Sequence, residues 1–210
     1  MKGTPMKLYY VPASCSLATH IILRELGMEF SLERYDPSKG QTETGSAYAG
    51  INAKARVPAL EFANGDILTE GSALVQYLVS QTPEHELALP IELMARARVQ
   101  EGLSFIASDF HKSFSPFFSA STDDAAKERA QALIIKHLEY LETTFGDGRE
   151  YFVDNKLSVA DIYLFVVLRW VEASGLELNT WKKVFAFRER MNMRPHVRAA
   201  LEAEGLLEAA

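Results

Sequence analysis

The feature that most constrains this chain is a change of hydrophobic period within its first 36 residues. KLYYV at 7–11 reads as a short strand, and Pro12 ends it. SCSLATHIILREL then carries apolar residues at helical spacing (Leu17, Ile21, Leu23, Leu26) and stops at Gly27, a residue suited to a helix C-terminus. FSLERYD at 30–36 reads as a second strand. Strand, helix and strand in that order predict a parallel pair joined by a crossover helix. Residues 37–56, rich in Gly, Ser, Thr and Lys, read as a loop with at most one short helix. VPALEF follows as a strand with Pro58 at its start. NGD at 64–66 is a hairpin signal, ILTE a strand, and GSALVQYLVSQ a helix.

A βαβ unit followed by ββα, with proline opening the third strand, is the thioredoxin-like arrangement. TPEHELALP at 82–90 has two prolines and separates two compositions. Beyond it only helical periods occur, over about 91–118, 123–145, 159–174 and 181–192, with a last helix from Pro195, a residue suited to a first turn. The expected fold is therefore an α/β thioredoxin-like N-terminal domain (1–81), a linker (82–90) and an all-α C-terminal domain (91–210). One helix start is marked strongly. Ser158 and Asp161 form a capping box, with Leu157 and Ile162 placed as a hydrophobic staple, which reads as a folding device.

Composition narrows the function. Of 210 residues, 48% are hydrophobic and 24% charged, the profile of a globular chain that needs no disulfide or metal to fold. A net charge of −6 without a basic run argues against nucleic acid as partner. The single cysteine excludes an internal disulfide and favours a reducing, cytoplasmic setting. No segment approaches the ~20 apolar residues of a membrane span, and the opening residues lack the apolar core of a secretory leader.

Four places have the residue types for chemistry. Cys15 follows a strand and a turn and opens a helix, where backbone N–H groups and the helix dipole favour a thiolate. Its other reading is a small buried hydrophobe. Ala18 stands where a C-x-x-C motif needs its second cysteine, so only a monothiol pairing with an external thiol remains. Val57-Pro58 opens a strand. A cis bond is expected there, exposing an edge to a peptide-like ligand, although an ordinary trans edge proline fits the same residues. Thr69-Glu70-Gly71-Ser72 lies at a strand-to-helix junction, suited to a carboxylate at the helix N-terminus and an ammonium at Glu70, or simply to capping. Ser104, Ser108, His111 and Ser115 form a polar stripe beside Leu103, Ile106, Ala107 and Phe110. That stripe is either a cleft wall or a solvated face; Lys112 adds a cation and His111 a proton carrier.

The segments KLYYVPASCSLATHIILRELG, INAKARVPAL, NGDILTEGSALVQYL, FIASDFHKSFSP and LSVADIYLF together resemble the glutathione S-transferases, and within them the bacterial beta class. The resemblance implies a homodimer using glutathione as co-substrate, without a metal. It implies that Cys15 meets or forms a mixed disulfide with the glutathione sulfur, with Tyr10 and Ser16 nearby. Val57, beside Pro58, would pair with the cysteinyl main chain, and Glu70 and Gly71 would hold the γ-glutamyl end, with Ser72 supplying a hydroxyl. Lys39 or Arg56 would meet the glycyl carboxylate. Ser104, Ser108, His111 and Lys112 would face the site from the helical domain. The aromatics Phe114, Phe117, Phe118 and Trp170 are read either as helping to place the electrophile or as plain core. The implied activity is conjugation of the glutathione thiolate to small hydrophobic electrophiles. Thiol–disulfide exchange or peroxide reduction at Cys15, reductive dehalogenation, and non-catalytic binding of hydrophobic ligands are the alternatives.

Overall fold

The computed structural model describes residues 6–119 and 121–207. The first five residues of the opening segment lie outside that description. The elements are β1 (Met6–Tyr10), α1 (Ser16–Glu25), β2 (Phe30–Asp36), β3 (Gln41–Thr42), β4 (Ala59–Glu61), β5 (Ile67–Thr69), α2 (Gly71–Ser80), α3 (Leu93–Phe105), α4 (His111–Ser113), α5 (Asp124–Thr144), α6 (Val159–Leu168), α7 (Lys182–Asn192) and α8 (Pro195–Ala203). A π-helical turn, Ile106–Phe110, joins α3 to α4. The chain packs as two compact units, Met1–His85 with Arg194–Ala210, and Glu86–Met193.

In the first unit the strands lie in the order β3-β2-β1-β4-β5. β1 and β2 are parallel, with Leu8 opposite Leu32, as their crossover through α1 requires. β4 and β5 run antiparallel around the turn at Gly65, whose φ of +87° suits a residue without a side chain. α1 buries every residue from Ser16 to Leu23, and α2 packs beside it. β3 was not foreseen. Its two residues pair with Tyr35 and Asp36 inside the stretch read as loop, too short to show a period. A single 3-10 turn, Tyr48–Gly50, is the short helix of that stretch.

The helix from Pro195, expected within the helical domain, packs instead on α1, with Val197, Ala200 and Leu201 buried. In the second unit α6 is buried from end to end, and α3 and α7 pack against it. The capping box forms as expected: Asp161 accepts from the Ser158 N–H at 2.8 Å, the Ser158 hydroxyl at 2.7 Å and the Phe152 N–H at 2.6 Å. Leu157 and Ile162 are both buried.

The continuous helix expected over 91–118 is interrupted. α3 gives way to the π-turn at Ile106, and a 3-10 turn, Ser115–Phe117, follows α4. The Ser108 hydroxyl donates to the Ser104 carbonyl at 2.8 Å, the acceptor that an α-helical Ser108 N–H would use. Such back-bonding competes with the regular ladder and bends helices. No helix among the described residues is long and apolar enough to cross a membrane.

Candidate active site

The turn between β1 and α1 delivers Cys15. Ser16 holds that turn shut: its hydroxyl donates to the Val11 carbonyl and accepts the Val11 N–H, both at 3.2 Å. Ser16 is fully buried. Its hydroxyl is thus spent on the main chain and on the Ser14 hydroxyl at 2.8 Å, which makes it a turn-former rather than a donor to a ligand sulfur. Cys15 occupies the N-cap of α1 and is half-buried.

The expected thiolate is not what this environment favours. Burial pushes the Cys15 thiol up to about 11, and the Glu70 carboxylate adds to the rise. The N–H groups of Cys15 and Ser16 and the Arg56 charge pull the other way without overcoming it. The helix N-terminus supplies the expected donors, and desolvation outweighs them. In keeping with that rise, the Cys15 Sγ–H donates to the Val57 carbonyl at 3.3 Å. Tyr10 ends β1 half-buried, and burial also raises its phenol.

The Val57-Pro58 bond is cis. The loop before it is held by Tyr48 and Asn52, which both donate to the Arg56 carbonyl, at 3.0 and 2.6 Å. Tyr48 stacks on Tyr35 with centroids 3.9 Å apart, in a cluster with Tyr9 and Ala59 against which Val57 packs. The position of Val57 therefore depends on a buried aromatic core. Gly71 lies over Pro58: a Cβ at Gly71 would meet the proline ring at 3.9 Å, ordinary van der Waals contact.

Glu70 precedes α2 with φ +70°, a left-handed conformation that a side-chain-bearing residue adopts at a cost of about 1–3 kcal/mol. Such strain is found at ligand-clamping positions. Its carboxylate is exposed and pairs with Lys54 Nζ at 2.5 Å, and Lys54 also reaches the Thr69 hydroxyl at 2.7 Å. The Ser72 hydroxyl oxygen is buried and has no hydrogen-bond partner among the described residues.

Of the two cations expected at this site, Lys39 is 73% exposed and pairs with Asp36 at 3.3 Å, on the β2–β3 turn. Arg56, next to Val57, is the one whose charge reaches Cys15. The first unit therefore brings together Cys15, Arg56, Val57, Pro58, Glu70 and Gly71.

In the second unit Ser104, Ser108 and Lys112 are exposed and His111 is half-buried. The Ser108 hydroxyl is taken by the Ser104 carbonyl and by Asp109. His111 Nδ1 lies 2.8 Å from the Tyr163 hydroxyl, and its ring meets the edge of Trp170 at 4.8 Å. Phe114 and Phe118 also contact Trp170 edge to face. Phe114 is fully buried, Phe117 half-buried and Phe118 exposed. A cavity of about 490 Å³ elsewhere in this unit, walled by Phe105, Tyr140 and Phe152, is lined by none of the expected residues.

Sequence reasoning missed Lys54, Asn52 and Tyr163. The first two stand in the INAKARVPAL stretch, where a short loop leading to a strand-initial proline signals that something must hold it. Tyr163 sits on the buried helix α6 and gave no signal of its own.

Comparison with known proteins finds relatives over nearly the whole chain. Residues 13–81 match the family description "Glutathione S-transferase, N-terminal domain", and residues 108–204 match "Glutathione S-transferase, C-terminal domain". The chain is 41% identical to glutathione S-transferase GstA of Escherichia coli O157:H7 over 201 residues, covering 96% of this chain and 100% of that protein. A bacterial beta class glutathione S-transferase of Sphingomonas chungbukensis superposes with a TM-score of 0.92 at 39% identity, covering 96% of this chain and all of that one. A sphingomonad glutathione S-transferase solved in complex with glutathione gives 0.91 at 39% identity, with the same coverage.

Proposed function

Since the chain belongs to the glutathione S-transferase family, in its bacterial beta class, we propose that it conjugates the sulfur of glutathione to small hydrophobic electrophiles, with Cys15 beside the reacting sulfur. The observation that carries the arrangement is the meeting of the Cys15 thiol with the Val57 carbonyl, next to Pro58 and the N-terminus of α2.

The chemistry follows from those positions. In the reaction the glutathione sulfur, as thiolate, forms the new bond to carbon, and the leaving group departs with its electron pair, as chloride from an activated aromatic chloride. Only the thiolate is a good nucleophile. Cys15, held as a thiol, can turn its hydrogen from the Val57 carbonyl to that sulfur, stabilising the anion and releasing the carbonyl for the cysteinyl N–H of glutathione. The γ-glutamyl carboxylate fits the N–H groups that open α2 and the Ser72 hydroxyl, with Gly71 allowing close approach. The γ-glutamyl ammonium fits Glu70, replacing Lys54 there. Arg56 suits the glycyl carboxylate better than Lys39, which is engaged with Asp36. Within the helical unit taken by itself, the exposed Phe118 and the half-buried His111 lie over the buried Phe114 and Trp170, an aromatic surface suited to an apolar electrophile, and Ser104, Ser108 and Lys112 are exposed polar groups.

We read the working form as a cytoplasmic homodimer. Ile91, 92% exposed, with Leu93 and Met94 at the start of α3, is an apolar face of the kind a second copy covers. Sedimentation as a monomer at micromolar concentration contradicts this.

A thiol near 11 is poorly suited to carrying disulfide exchange or peroxide reduction itself at neutral pH. Conjugation of an activated aromatic chloride is therefore measured beside reduction of a mixed disulfide. Saturable conjugation in glutathione is expected. Glutathione binding without turnover of either substrate makes the chain a binding protein, and disulfide turnover alone makes it an oxidoreductase.

A further inference from the structure

The turn that presents Cys15 is held from the far end of the chain. Ala13 adopts φ +62°, a left-handed conformation that disfavours any residue with a side chain. Its N–H donates to Glu204 Oε2 at 3.1 Å, across 191 residues of sequence. Glu204 closes α8, and its side chain is wholly buried. Its other oxygen, Oε1, lies 2.8 Å from Nδ1 of His20, which is also wholly buried. Arg24 donates through Nε to His20 Nε2 at 2.9 Å. An arginine N–H can only donate, so Nε2 accepts and Nδ1 carries the hydrogen that Glu204 receives.

This is an unusual use of a buried carboxylate. Joining α8 to α1 needs no charge there, because Val197, Ala200 and Leu201 are already buried, and buried ion pairs contribute little net stability compared with apolar packing. A second pair, Arg194 with Glu25 at 3.0 Å, also links the start of α8 to α1 but does not reach the turn. What distinguishes Glu204 is the backbone N–H it accepts, two residues before Cys15.

We propose that Glu204, oriented by His20 and Arg24, is a positioning residue for Cys15. It fixes the left-handed turn at Ala13, and with it the place where the Cys15 sulfur meets the Val57 carbonyl and the bound thiol. The proposal rests on the reading that glutathione binds at Cys15.

Glu204→Gln and Glu25→Gln separate positioning from docking of the helix. A glutamine at 204 cannot present two acceptors, so either Ala13 or His20 faces an N–H₂ group. Losing one such charge-assisted hydrogen bond is expected to raise KM for glutathione by about fivefold or more, with kcat less affected. It is also expected to change the rate at which iodoacetamide alkylates Cys15 several-fold. Glu25→Gln is expected to lower the melting temperature while leaving KM and the alkylation rate at wild-type values. If both variants only lower the melting temperature, Glu204 merely docks α8 and the proposal is wrong. Should Glu204→Gln fail to fold, His20→Asn takes its place, since it keeps a short donor toward Glu204 and removes the acceptor of Arg24; unchanged KM and alkylation there overturn the proposal equally. Alkylation is read without glutathione. A variant that alters alkylation in a protein showing no saturable use of glutathione therefore separates failure of the functional reading from failure of this one.

Discussion

Cys15 illustrates how two physical effects compete at one residue. The helix N-terminus supplies donors that favour an anion, and burial removes the water that would solvate it; burial prevails, and the thiol rises to about 11. The thiolate is the reactive form, so alkylation of the unliganded protein by iodoacetamide should climb about tenfold per pH unit from pH 7 to 10. It should level off only near pH 11. A plateau reached by pH 8 means an activated thiolate and contradicts the assignment. The place of Cys15 was legible because it depends on a local junction of strand, turn and helix. Its protonation was not, because burial depends on the tertiary fold and the Glu70 charge that adds to the rise comes from a distant segment. The partners of Ser16 were not legible either: its hydroxyl bonds the Val11 main chain and the Ser14 hydroxyl, and a serine beside a cysteine does not advertise which way its hydroxyl turns.

At the scale of elements, legibility followed the strength of local signals. α6 was readable because Ser158 and Asp161 stand three apart, before an unbroken apolar run. Asp161 accepts from two main-chain N–H groups and one hydroxyl in a fully buried setting, so removing it leaves several donors without a partner. Asp161→Ala is expected to cost about 2–4 kcal/mol, read as a lower urea midpoint. A loss under about 0.5 kcal/mol, the size of a surface change, contradicts that role. The break at Ile106–Phe110 was not readable, because no Gly or Pro marks it. The β3 strand was too short for any period to appear.

For the whole molecule, the order βαβ then ββα made much of the sheet legible, since a crossover helix forces β1 and β2 parallel and a tight turn forces β4 and β5 antiparallel; the pairing of β1 with β4 comes from tertiary contacts. The destination of α8 was hidden, because its apolar stripe fits either unit and only tertiary contacts with α1 decide. The account's central claim is that the sulfur of glutathione is the nucleophile and that Cys15, a neutral thiol, only stabilises it. Its most direct test is the rate of conjugation of an activated aromatic chloride by Cys15→Ala. Removing one thiol donor should slow conjugation by about tenfold or less, because the α2 N-terminus and the Val57 main chain still bind glutathione. Loss of conjugation to the uncatalysed rate would show that Cys15 itself carries the reaction.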